Sequence, residues 1–367
     1  MAHNIEERNG FHSFAENQRK HKAWHDLADE GKGQVFNRPM FVMEALKACR
    51  ADYRVELRPI MPIVSDMTMY EGMNLQGEEV ENLIIPSHKV TMRMDTHEVL
   101  GVVKADSYCI VQNEDAFAFV DTLCSGRETD RKNTPTIEAC GVLGHGERVF
   151  ITCKFPEDII LNPKTDDRIE RYLVLTTSHD GTGALKCVCC NIRVVCQNTL
   201  NLALRNNSGI ISFRHSANIM KRLDLTSDEN AKFAYAALNM QHEYDAYFKA
   251  ELERLNSLNV TKKQVMDIVA EVVLPEDSLK VYKATQNIEH EDISTRSKNL
   301  FNAMLTSIHE GVGQEYLESG TALWLMNGIT SHYQNHTDYK NSESKFTSIM
   351  DGYVSKKVQK AYELVAA

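Results

Sequence analysis

The sequence has no apolar run approaching the roughly 18 residues that a membrane-crossing helix needs, so no helical membrane span is expected. The opening MAHNIEERNG lacks the apolar stretch of a secretory leader, and none is expected. Basic residues are in the minority: 41 Lys and Arg stand against 51 Asp and Glu, a formal net charge of −10. That argues against a generally basic nucleic-acid coat and leaves room for a local basic groove on an acidic body. No internal repeat or low-complexity tract is present, and neither are the GxxxxGK[ST], GxSxG and HExxH signatures. Gly141, Gly144 and Gly146 only superficially resemble a phosphate loop, because they fall between two strand-like runs rather than between a strand and a helix. Nothing therefore calls for a nucleotide cofactor or a resident metal. Cysteine is present in an odd number, nine, mostly inside apolar runs. Buried thiols in a reducing cytoplasm fit that usage better than a disulfide framework.

What is present is a chain of 367 residues, long enough to bury a full core. Its centre is a pair of β-branched apolar runs, Tyr172 to Thr177 and Leu185 to Cys196, around His179-Asp180-Gly181-Thr182-Gly183. Asp-Gly between two such runs predicts a hairpin, since glycine accepts the positive φ of tight turns. After it, Asn198 or Thr199 is expected to cap a helix carrying Leu200, Leu202 and Leu204. Upstream, residues 1–38 read as a polar arm, Met40 to Cys49 as a helix, and Tyr53 to Ile60 as a strand. Lys89–Asp95 and Glu98–Val111 read as a strand pair, Asn113 as the cap of a helix running past Cys124, and Ile137–Leu143 with Arg148–Phe155 as another hairpin. From the capping box Thr226-Ser227-Asp228-Glu229 onward the pattern is helical, with segments at 261–274, 293–309, 315–328 and 345–365. The expected fold class is α+β: an antiparallel, strand-rich N-terminal half with inserted helices, then a helical C-terminal half. The expected division is an arm at 1–38, an α+β core domain at 39–215 and a helical region at 216–367.

Four groups of residues bear on chemistry. His179 beside Asp180 is a candidate acid/base or metal pair, with Asn198 as an orienting group; the bland alternative is an Asp bonding its own turn beside an exposed His. Cys187, Cys189 and Cys190 alternate across strand faces, so they read as core packing rather than converging metal ligands. Lys104, Lys186, Arg193, Arg205, Arg214 and His215, with Lys221 and Arg222 beyond, are candidate phosphate contacts, and Tyr108 or Phe213 could stack on a base. The alternative for Arg193 is an ion pair with Glu138 or Asp121. His332 and His336 share a helix face at i, i+4, where a polar helix surface is expected rather than a metal site.

An ordered set of residues gives a resemblance. It runs through Met1-Ala2-His3-Asn4-Ile5-Glu6, Trp24-His25-Asp26-Leu27, Leu100-Gly101-Val102-Val103, Val111-Gln112-Asn113-Glu114, Tyr172-Leu173, His179-Asp180-Gly181, Arg193 to Leu200, Arg214-His215 and Thr321-Ala322-Leu323-Trp324. These resemble a phage- and plasmid-associated family known as a domain of unknown function, the phage/plasmid-like proteins. Asp26 and Ala28 depart from the family's Trp-His-Gly-Leu-Gly. The resemblance implies mobile-element DNA and a bacterial host cytoplasm, and supplies no reaction. In order of elements the chain is also similar to the single-strand annealing proteins of phage recombination, which bind single-stranded DNA in a basic groove as rings or filaments. The expected function is thus non-catalytic binding or annealing of single-stranded DNA by a homo-oligomer. The alternatives are an effector that inhibits a host defence or repair protein, and an enzyme centred on His179 and Asp180.

Overall fold

The computed structural model describes residues 5–17, 33–61, 84–124, 134–162, 167–193, 198–199, 209–216, 227–340, 345, 348–349 and 352–366. The strands are β1 (Glu7–Arg8), β2 (Phe11–His12), β3 (Phe14–Asn17), β4 (Gln34–Phe36), β5 (Val55–Pro59), β6 (His88–Arg93), β7 (Val99–Lys104), β8 (Thr136–Leu143), β9 (Arg148–Lys154), β10 (Ile159–Asn162), β11 (Asp167–Ser178), β12 (Leu185–Arg193), β13 (Asn198–Thr199) and β14 (Ile210–Phe213). The helices are α1 (Val42–Ala48), α2 (Asn113–Cys124), α3 (Ser227–Ser257), α4 (Lys262–Val273), α5 (Glu276–Thr285), α6 (Thr295–Glu310), α7 (Ala322–Ser331) and α8 (Tyr353–Ala366). The result is the α+β arrangement read from the sequence, strand-rich first and helical second. Among the described residues no helix is long and apolar enough to cross a membrane.

The main sheet runs β13-β12-β11-β9-β8-β3-β4, with β14 also against β12 and β10 against β11. Its spine is the predicted hairpin: β11 and β12 pair antiparallel from Ile169↔Arg193 to Thr176↔Lys186. Alternation then sorts side chains onto two faces. Leu173, Leu175, Cys187 and Cys189 join the principal core, while Tyr172, Val174, Cys190 and Ile192 form a separate buried cluster. The cysteines thus pack as small hydrophobes on opposite faces; among the described residues no group of three His, Cys, Asp or Glu could hold a metal. A second sheet, β5-β6-β7, is fixed to the first by buried polar contacts. Arg93, 1% exposed, pairs with Glu6 at 2.6 Å and lies 3.9 Å from the Tyr53 ring centre, and the Tyr53 hydroxyl donates to Gly146 O.

Several expectations are corrected. Asn198 and Thr199 pair with Arg193 and Ile192 as β13. The edge of β12 that β14 leaves uncovered offers them backbone partners there. The helix expected at 200–204, and Thr226 of the capping box, lie outside the described residues. Asn113 begins α2, but its side chain reaches away to Ala51 and His179 instead of capping. The segment read as an arm places β3 inside the main sheet, between β8 and β4. Helix α5 had no counterpart in the sequence reading; Pro275 precedes it and Glu276 and Asp277 occupy its first turn, which is its only strong start signal. His332 to His336 form a π-helical turn in which His332 is buried and bonded to Ser307 Oγ at 3.0 Å, so that segment is not a polar helix surface.

Candidate functional site

A groove of about 560 Å³ opens where β11 and β12 meet their connecting turn. Consecutive Thr176, Thr177 and Ser178 of β11 and Lys186 and Val188 of β12 line it, so it wraps the turn end of the hairpin. Arg148 enters because β9 begins opposite the end of β11, in the register Ser178↔Arg148. Strand β14 pairs Leu185↔Phe213 and so delivers Arg214 and His215 to the same rim. A bridge Tyr108↔Ser216 and a bond from Cys109 N to His215 O clamp residues 108–109 across them. The Tyr108 ring stacks on His215, with centroids 5.4 Å apart and planes 16° from parallel. Burial, with Asp180 nearby, pushes the Tyr108 hydroxyl well above its ordinary pKa, so it stays protonated and neutral.

The turn that closes the groove is built by Asp180. Its carboxylate accepts from Ser178 Oγ, from Thr182 N at 2.8 Å and from Thr182 Oγ1 at 2.7 Å, with Arg148 Nη2 at 3.7 Å. Burial alone would raise this carboxyl; the bonds from Ser178 and Thr182 and the charge on Arg148 hold it below the usual range. Gly181 follows at φ +78, a conformation open to glycine.

His179 points the other way. It is fully buried, and its Nε2 lies 2.8 Å from Asn113 Oδ1. Because Asn113 Nδ2 already donates to Ala51 O, its Oδ1 must accept, and Nε2 of His179 carries the proton. Burial, and then the neighbouring His215, bring the His179 pKa down to about 3. His179 and Asp180 therefore do not converge: the imidazole ties the hairpin to α2, and the carboxylate ties the turn to itself. The expected exposed histidine is corrected here, whereas an aspartate bonding its own turn is what the structure shows.

Of the basic residues singled out in the sequence, the groove brings together Lys186, Arg214 and His215. Lys104 is exposed at the end of β7 and does not line the groove. Arg193 sits at the far end of β12, where its backbone pairs with Ile169 and Asn198, seven residues or about 23 Å along the strand from Lys186. Asn198 belongs to β13 beside it. Arg205, Lys221 and Arg222 lie outside the described residues. Asp121 accepts from Val42 N. Phe213 leans on Phe233 at 5.2 Å and does not line the groove. Arg148 was missed. Its signal was a cation opening a strand directly after the Gly144–Gly146 turn, a position that acquires meaning only through its register with Ser178.

No curated protein and no solved structure matches this chain. Residues 99–350, from the first residue of β7 through the groove and most of the helical half, match a family described as a domain of unknown function (DUF932), and by that match over more than half its length the protein belongs to this family.

Proposed function

We propose that the groove binds single-stranded nucleic acid, DNA in the first place, and holds it without catalysis. One observation carries this reading: Arg148, Lys186 and Arg214 converge with a ring pair, Tyr108 on His215, in one groove of a chain whose net charge is −10. Cations that track phosphates beside an aromatic platform are the common means of holding single strands without reading their sequence. The groove's volume suits a nucleotide-sized piece of such a strand. The resemblance adds a setting, the DNA metabolism of phages and plasmids in a bacterial cytoplasm, with copies of the chain assembling along the strand.

Fluorescence anisotropy of a labelled single-stranded oligonucleotide tests it. Micromolar or tighter binding is expected at about 50 mM salt, weakening steeply by about 200 mM as counterions are retained. Replacing Lys186 and Arg214 together by Ala should reduce the slope of log K against log salt by about 1.4, at roughly 0.7 per phosphate contact on a single strand. No binding at the lower salt, or a slope untouched by the double substitution, overturns the reading.

A further inference from the structure

Within that groove His215 stands apart from the other buried histidines. It is 7% exposed, and among the described residues neither Nδ1 nor Nε2 makes a hydrogen bond of good geometry, the backbone of Cys109 being the nearest group that could bond the ring. His179 uses one ring nitrogen on Asn113, and His332 uses one on Ser307. Native structures seldom leave buried polar atoms unbonded, and one kept at the wall of a groove marks where something outside the chain completes it. The imidazole is held firmly in place. Tyr108 stacks on it, its backbone carbonyl accepts from Cys109 N, and Ser216 next to it bridges to Tyr108.

The charges around it decide what can complete it. Arg214 precedes it on the same segment, Lys186 faces the groove from β12 and Arg148 from β9. Tyr108 and Cys109 lie across from it, Asp180 approaches from the turn, and neutral His179 is its neighbour on the inner side. Burial outweighs the Cys109 backbone and Asp180, which both act to raise the pKa, and keeps the ring below its ordinary pKa, hence neutral at physiological pH. A neutral imidazole offers one donor and one acceptor, whereas a phosphate diester offers only acceptors and a negative charge. An incoming phosphate would offset the three groove cations and favour the doubly protonated ring, whose nitrogens both donate.

We propose that His215 is the phosphate-recognising side chain of the groove, binding a non-bridging oxygen of the nucleic-acid backbone as an imidazolium, so that each binding event takes up one proton. The inference rests on the groove reading of the preceding subsection and adds to it a regulation by pH. Affinity rises as pH falls. The gain reaches about tenfold per pH unit between the ring's bound and free pKa values.

Two measurements test it. Anisotropy titrations of the same labelled oligonucleotide at constant ionic strength, from about pH 8 to 5.5, should show tightening on the wild type. His215→Gln should lower affinity at the acid end by about tenfold and flatten the profile. Calorimetry of the wild type in buffers of differing ionisation enthalpy needs no variant and should count close to one proton taken up. Binding with a flat pH profile, an unchanged profile in His215→Gln, or no proton uptake overturns the role of His215 while leaving the groove reading in place. Absence of binding at every pH overturns both. An arm with inorganic phosphate as competitor, against chloride of equal ionic strength, should displace little of the oligonucleotide; strong displacement would reassign the ring to a small phosphate compound and overturn recognition of the polymer backbone.

Discussion

At His179 the environment has removed a proton that the free side chain would hold in mild acid. The ring is buried, its Nε2–H is committed to Asn113, and its pKa is near 3. The sign follows from linkage: as pH falls below the unfolded value of about 6.5, the unfolded chain binds a proton that the folded one refuses, and stability drops. The loss from this one residue approaches about 1.4 kcal/mol per pH unit until the folded pKa is reached. His215 and His332 are also lowered by burial and act in the same direction. Urea denaturation of the wild type at about pH 7.5 and 5 should therefore show a marked fall in stability. His179→Gln, which keeps a donor for Asn113, should be less stable at neutral pH by about 1–2 kcal/mol and show a shallower fall on acidification. Equal slopes in the two proteins would mean that His179 is accessible to protons in the native state. This residue also shows the limit of reading a turn: period and composition identify His179-Asp180-Gly181, but which of the two polar side chains faces inward depends on Asn113, 66 positions away.

At the scale of elements, the connecting turn is seated on β7 through glycine. A Cβ on Gly101 would lie 2.4 Å from Asp180 O, a backbone atom with no flexible end to yield, and one on Gly181 would lie 2.7 Å from Val103 Cγ1. Thr91 Oγ1, from the neighbouring β6, donates to His179 O at 2.7 Å and completes the seat. Gly101→Val should therefore push the turn off the small sheet, costing about 1–3 kcal/mol in thermal or urea unfolding. It should also weaken oligonucleotide binding, because residues 181–183 line the groove. A variant as stable as the wild type would show that the two sheets adjust independently. The hairpins around this turn were legible because their alternation is long and their turns contain glycine: β8 with β9 and β11 with β12 fall where the sequence places them. Strand β13 was not, because two residues carry no period and its pairing is dictated by the free edge of β12. The groove was legible in part. Lys186, Arg214 and His215 were found as cations near the central strand, but their meeting with Arg148 is a matter of register, which composition does not encode.

Across the whole molecule, the strand-rich and helical halves share a single core. One continuous cluster runs from Leu46 and Phe117 through Leu173 and Cys187 to Phe248, Phe301, Trp324 and Tyr362. A largely buried ion pair joins the halves: Arg171 of β11 donates to Asp245 of α3 at 2.7 Å, and Gln241 donates to the other carboxylate oxygen. Arg171 is also held by Glu157 O and lies 5.3 Å from the Phe155 ring centre. It therefore cannot follow its partner into water without disturbing β11. Removing the carboxylate leaves a buried guanidinium without its counter-charge, which typically costs about 3–5 kcal/mol. A shared core predicts that the cost falls on both halves at once. Amide hydrogen exchange read by mass spectrometry can measure this, with peptides from β11 reporting the sheet and peptides from α3 reporting the helices. In the wild type the slowest amides of both should open with one free energy, and in Asp245→Ala both should fall by the same amount. If α3 alone exchanges faster while β11 keeps its protection, the helical half opens as a separate unit. The groove at the far end of the β11–β12 hairpin would then be insulated from it.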